Sequence, residues 1–243
     1  MDKRLLTSIV FHNLRILNGV TPRDTYIENY KWHLAKWGDD FFDVHSLAVY
    51  WGTYHHPEKI MEIGSRTGLS LAQLLSPYLD FTGLRVVVFD LFDDGLATAD
   101  LVRKHLSHLA IPTGFIEFYQ GDSRTTVPEF KKTNTDPFDW ILIDGGHSQE
   151  IADVDLENVV DLVAKDGVIV FDDISATVES DGFNLKPSWE RFKSKYSNRF
   201  DWYEDVAGKG TAWAQCRVAA PLAVNVVQTV KLHGPTRFAT KVD

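Results

Sequence analysis

Cysteine is almost missing from this chain: Cys216 is the only one in 243 residues. A single thiol cannot close an intrachain disulfide or supply a cysteine-rich metal site, and it fits a reducing compartment. Basic charge is also short. Lys plus Arg number 25 against 34 Asp plus Glu, a formal charge of −9, so the average surface repels a phosphate backbone and no nucleic-acid partner is expected. No stretch reaches the roughly 18 apolar residues of a membrane span, which argues against a membrane partner. The apolar start, residues 5–11, gives way to His12, Asn13 and Arg15 without a small-residue cleavage site, so a cytoplasmic location is expected. Linkers rich in Gly, Ser or Pro and internal repeats are absent too. The length then reads as one large domain able to bury a sizeable core.

What is present is an alternation of short apolar runs with helical stretches. Ile60–Ile63, residues 84–89, Ile116–Gln120, Phe138–Ile143 and residues 168–171 are continuous rather than alternating in hydrophobicity, as in strands covered on both faces. Helical spacing appears in residues 2–17, from Ala97 to Leu109 with His105 and His108 read as surface residues, from Ser148 to about Ala164, and from Trp189 to Tyr196. Strands alternating with helices make βαβ units and a parallel sheet. Residues 200–204 and 211–218, around Gly208 and Gly210, read as an antiparallel closing hairpin, which brings the count to seven strands. We divide the chain into a helical cap at 1–57 belonging to the same domain, a core at 58–218 and an extension at 219–243. The cap is rich in aromatics and histidines, which either pack on the core or wall a pocket. Residues 173–189 read as a lid or a long connection. The tail, with Val224, Val226, Val227 and Val230, reads as an edge strand or a homo-oligomer contact.

The stretch KIMEIGSRTGLSL, residues 59–71, is the centre of the design. An apolar strand stops at Gly64, the turn runs Gly64-Ser65-Arg66-Thr67-Gly68, and Leu71, Leu74 and Leu75 start a helical stripe. Strand, glycine turn and helix present free backbone N–H groups and a positive helix end to a ligand. The spacing is G-x-x-x-G, with Arg66 where a dinucleotide fingerprint has glycine, which weakens a nicotinamide reading; an ordinary tight turn is the other alternative. Asp90 lies 26 residues past Gly64, where nucleotide folds place a carboxylate on ribose hydroxyls. Gly121-Asp122-Ser123 after the third strand reads as an Asx turn or a helix cap.

Acids also close the later strands: Asp144 the fourth, Asp172 and Asp173 the fifth. Ligands bind at the carboxyl ends of strands in an open parallel sheet. Two like charges about 4 Å apart cost on the order of 4 kcal/mol at an effective dielectric near 20, so converging acids need neutralising. A raised pKa, a hard divalent cation such as Mg²⁺, or divergence of the acids would each answer.

With Glu62 two residues before Gly64, the turn resembles motif I of the class I S-adenosylmethionine (SAM) methyltransferases. The run ILIDGGH, followed 28 residues after its Asp by VFDDI, resembles the metal-dependent small-molecule O-methyltransferases, the catechol and caffeoyl-CoA types and their antibiotic-tailoring relatives. The resemblance covers residues 59–173. It implies a Rossmann-like α/β fold with a seven-stranded, mostly parallel sheet, helices on both faces and an antiparallel C-terminal hairpin. It implies SAM held by Glu62, Gly64, Ser65, Gly68, Asp90, Asp122, Ser123 and Asp144, and a divalent cation, Mg²⁺ or another, on Asp144, Asp172 and Asp173. Asp173 departs from the family's commoner Asn. His147 falls on the catalytic base position beside Asp144, with His45, His55 and His56 as weaker candidates. The implied reaction moves the SAM methyl group to a hydroxyl of a small molecule. A metal-independent methyltransferase on oxygen or nitrogen, or a non-catalytic nucleotide-binding protein, are the alternatives.

Overall fold

The protein is described from a computed structural model over residues 3–20, 26–38, 41–93, 97–134, 136–175, 183–217 and 241–242. Its cap holds three helices: α1 (Lys3–Leu17), α2 (Tyr26–Trp37) and α3 (Val44–Tyr54). Asp43 starts the third, its Oδ1 accepting from the Ser46 N–H at 2.9 Å, which satisfies one of the amides a helix start leaves open. The core then alternates β1 (Lys59–Ile63), α4 (Leu69–Leu75), β2 (Arg85–Asp90), α5 (Ala99–His108), β3 (Ile116–Gln120), α6 (Ser123–Lys131), β4 (Phe138–Ile143), α7 (Gln149–Val159) and β5 (Val163–Phe171). It closes with α8 (Lys186–Lys195), β6 (Phe200–Asp205), β7 (Thr211–Cys216) and a two-residue β8 (Lys241–Val242).

One sheet takes the order β6-β7-β5-β4-β1-β2-β3-β8. Strands β1 to β5 run parallel, β7 pairs antiparallel to β5 and β6, and β8 pairs antiparallel to β3. The seven expected strands are there, and β8 is an eighth that its two residues could not signal. Each parallel strand feeds two cores. Ile60, Val86, Val88, Trp140, Leu142, Val168 and Val170 share one with α1 to α5, while Met61, Val87, Phe89, Ile141, Ile143, Ile169 and Phe171 share the other with α6 to α8. This two-sided burial is why the runs are continuously apolar. The chain reverses its direction of travel across the sheet between β1 and β4, the crevice where ligands bind in such folds.

Several boundaries differ from the sequence expectation. The helix after Ser148 stops at Val159, and the chain enters β5 at Val163, which pairs with Phe138. Gly167 lies inside that strand because a Cβ there would sit 2.9 Å from the Phe138 carbonyl oxygen. Helix α6 was not anticipated: its Thr125, Thr126 and Pro128 look like turn or strand, yet Asp122 caps it and Val127 and Phe130 bury one face. Helix α8 starts at Lys186 and takes Pro187 into its first turn, a position that needs no N–H donor. The tail residues Val224 to Val230, Val218, Asp40 and Gly182 in the lid reading lie outside the described residues.

Candidate functional site

At the end of β1 the chain turns at once. Gly64 sits at φ 83°, and a Cβ there would lie 2.0 Å from the Asp144 carbonyl oxygen. Side chains are excluded twice over, by backbone conformation and by space. The Gly64 N–H donates to Phe89 O and the Asp144 N–H to Ile63 O, each at 2.8 Å, so the mouths of β1, β2 and β4 are laced together. Arg66 also adopts a left-handed φ, 51°, uncommon for a side chain of that size. Its N–H donates to Asp90 Oδ2 at 2.8 Å, and the other Asp90 oxygen accepts from the Phe92 N–H at 2.9 Å. Asp90 thus ties the turn to the loop after β2.

Glu62 is 1% exposed and faces α4. Its carboxylate accepts from the Ser65 hydroxyl at 2.8 Å and from the Ser70 hydroxyl. Burial pushes it up to about 7, against the pull of those two hydroxyls. Below the turn lies His105, fully buried rather than on the surface, with Nδ1 2.8 Å from the Thr67 carbonyl oxygen. A carbonyl only accepts, so Nδ1 carries the proton.

The acids converge at the other end. Asp144 and Asp172 line the same cavity. Asp172 is 8% exposed and accepts from the Thr211 hydroxyl at 2.7 Å. Asp173, 1% exposed and at φ 61°, places Oδ2 3.3 Å from His147 Nε2 and Oδ1 3.8 Å from Lys209 Nζ. One ligand atom each from Asp144, His147 and Asp173 lies within 4.8 Å of the others. That compact group differs from the expected ligand set: His147 is in it, while Asp172 stands beside it. Desolvation and the charges of Asp172 and Asp173 hold the Asp144 carboxyl well above the usual carboxylate range. Desolvation first, then Asp173, raises Asp172 as well. Lys209 opposes both shifts.

Between the two ends is a cavity of about 600 Å³. Gly64, Ser65, Arg66 and Thr67 form one wall, Asp144, His147 and Asp172 another, and Lys209, Gly210 and Thr211 a third. The cap closes it with Tyr26, Tyr30, Trp32, His33, Phe41 and His45. The aromatic cap is therefore divided. These residues face the cavity, and Trp51 packs on Trp140, ring centres 6.0 Å apart, with His55 stacked on it at 4.0 Å. Burial keeps His33 and His45 below the usual imidazole range.

Of the expected ligand contacts, Gly64, Ser65 and Asp144 line the cavity, while Glu62, Gly68, Asp90, Asp122 and Ser123 are not among its lining residues. Asp122 caps α6, and the Arg124 guanidinium forks onto both its oxygens, which holds the carboxyl below the usual range. Ser123 neighbours Asp155, which burial pushes up to about 6. Three participants went unread in the sequence: Thr211, Lys209 and His105. A lysine between two hairpin glycines reads as solvated, and nothing local says that its turn folds back on the acids. For His105 a signal existed, because Ala99, Val102, His105 and Leu106 form one buried helix face.

The sequence family described as "Methyltransferase domain" matches residues 61–174. No curated protein matches the sequence. Among solved structures, the chain is similar to the O-methyltransferase from Bacillus cereus in complex with SAH, at 19% identity, 84% of this chain, 96% of that one and TM-score 0.55. It is similar to TomG from Streptomyces achromogenes, an O-methyltransferase involved in tomaymycin synthesis solved with SAM, at 16% identity, 89% and 99% coverage and TM-score 0.56. SAH-bound PaMTH1 from Podospora anserina gives 15%, 78%, 86% and 0.56. At these identities the likeness carries the fold.

Proposed function

We propose that this chain is a class I SAM-dependent methyltransferase and, within that class, an O-methyltransferase for a hydroxyl of a small molecule, assisted by a divalent cation. One observation carries the reading: a single cavity joins the Gly64–Thr67 turn to Asp144, His147 and Asp172. The size, about 600 Å³, suits a small ligand, and the −9 charge disfavours a nucleic-acid acceptor.

SAM would be held by the glycine turn, Ser65 and Asp90, with Asp122 and Ser123 at the far side. It supplies a sulfonium methyl group for in-line displacement by oxygen. The cation would be held by Asp144 and Asp173 with Asp172 adjacent. The donor chemistry fits, since Asp144 and Asp173 each place a carboxylate oxygen within 4.8 Å of the other's, as suits a hard divalent ion, whose charge would favour the deprotonated acceptor.

The chain's own residues do the rest. His147 donates from Nε2 toward Asp173 Oδ2, which leaves Nδ1 with the lone pair that takes the hydroxyl proton. The buried Asp173 carboxylate then stabilises the imidazolium, in the way an orienting acid supports a catalytic histidine. Aromatic walls from the cap exclude water and hold the acceptor against the turn; such alignment can supply roughly 7–11 kcal/mol in favourable cases.

A second reading drops the cation and leaves the work to the His147–Asp173 pair, and the 3.3 Å contact favours it. The test is methyl transfer from SAM to a panel of hydroxylated small molecules with and without EDTA. Turnover lost on chelation and restored by Mg²⁺ is the expected outcome. Turnover indifferent to EDTA moves the assignment to the second reading, and no transfer to any acceptor defeats both.

A further inference from the structure

Lys209 brings an ammonium to the acid end, and its position is built. The turn joining β6 to β7 is stitched to the chain just past Asp173. The Ile174 N–H donates to Gly210 O at 3.1 Å, the Ser175 N–H to Lys209 O at 2.8 Å, and the Ser175 hydroxyl to Val206 O at 3.0 Å. The lysine backbone is thus fixed to the strand that supplies two of the acids. From there Nζ lies 3.8 Å from Asp173 Oδ1, the side chain keeps 41% of its surface exposed, and Lys209 helps to line the cavity. It can therefore leave Asp173 by side-chain rotation alone, without movement of the turn.

An ammonium and a divalent ion on one carboxylate repel each other at short range in a site of low dielectric. Asp173 belongs both to the Lys209 pair and to the compact donor group with Asp144 and His147. Resting on the reading that this group takes a divalent cation, we infer that Lys209 is a built-in competitor for that cation. It neutralises Asp173 while the ion is away, and it must turn into the cavity when the ion enters. The lysine therefore lowers the affinity of the site for metal.

The experiment is direct Mn²⁺ titration of the full chain without SAM or acceptor, following free aqueous Mn²⁺ by electron paramagnetic resonance. Lys209→Met should bind Mn²⁺ at least about tenfold more tightly than the unaltered chain, the scale expected when one positive charge is removed at contact range. Lys209→Arg keeps the charge and should stay within about twofold, as should Lys36→Met, which removes a charge resting over Trp32 and Trp37 on the cap. If the Met variant does not fold, Lys209→Gln carries the same test. Binding by the unaltered chain with no tightening on loss of Lys209 overturns the competition and leaves the metal reading standing. No Mn²⁺ bound by any of these proteins overturns the metal reading and the competition with it.

Discussion

At the glycine-turn end, Glu62 is held by two serine hydroxyls, Asp90 by two backbone amides and the Thr67 carbonyl by His105. At the acid end, three carboxylates share Thr211, His147 and Lys209. The first region is fixed by short-range bonds, each polar group meeting a neutral partner, and within it the buried Glu62 titrates near neutral pH. The second is crowded with like charge, which makes it responsive to any cation or proton that arrives. The proposed transfer would use both properties side by side: a rigid cradle for the donor and a charge-sensitive seat for the acceptor.

The contrast can be broken most severely at Gly64. Gly64→Ala forces a Cβ onto the Asp144 carbonyl at an unfavourable φ, and a loss of about 3 kcal/mol or more is expected from strain and overpacking together. Thermal or urea unfolding would measure it, and a variant as stable as the parent would show that the two mouths are not interlocked. The acid end should respond with the opposite sign. Because the Asp144 pKa is raised on folding, the folded chain holds that proton more tightly than the unfolded one. Stability is then lost as pH rises from the ordinary carboxylate range through the folded value. Asp144→Asn removes that penalty, so the variant should be more stable than the parent at pH 8 and nearly equal to it at pH 3. Methyl transfer should meanwhile fall by at least about 10². Melting curves across pH, with turnover at pH 8, test both halves. The smallest effect is expected where cap meets turn. Tyr26 OH lies 3.4 Å from Thr67 Oγ1, long for a hydrogen bond, so Tyr26→Phe should cost under about 0.5 kcal/mol and alter the KM for SAM less than about threefold. A larger rise would mean that the cap takes part in holding the donor.

Much of this contrast was legible in the sequence. Strands buried on both faces must be apolar throughout, so Ile60–Ile63 and Phe138–Ile143 stood out, and the residues that stop such runs are the ones at the sheet's mouth. That alone placed Gly64, Asp90, Asp144 and Asp172 at strand ends. What stayed hidden depended on partners distant in the chain. His105 was read by polarity, and its burial answers to a carbonyl 38 positions away. Val163 looked like part of the helix running to about Ala164, until pairing with Phe138 drew it into β5. Thr211 and Lys209 carry no local mark because their roles exist only after the hairpin docks on β5.

That docking also sets a schedule for synthesis. Asp144, Asp172 and Asp173 leave the ribosome well before Lys209 and Thr211, and β7 must slot beside β5 before either can reach its acid. A nascent chain halted just after α8 therefore carries its acids without the lysine and the hydroxyl that answer them.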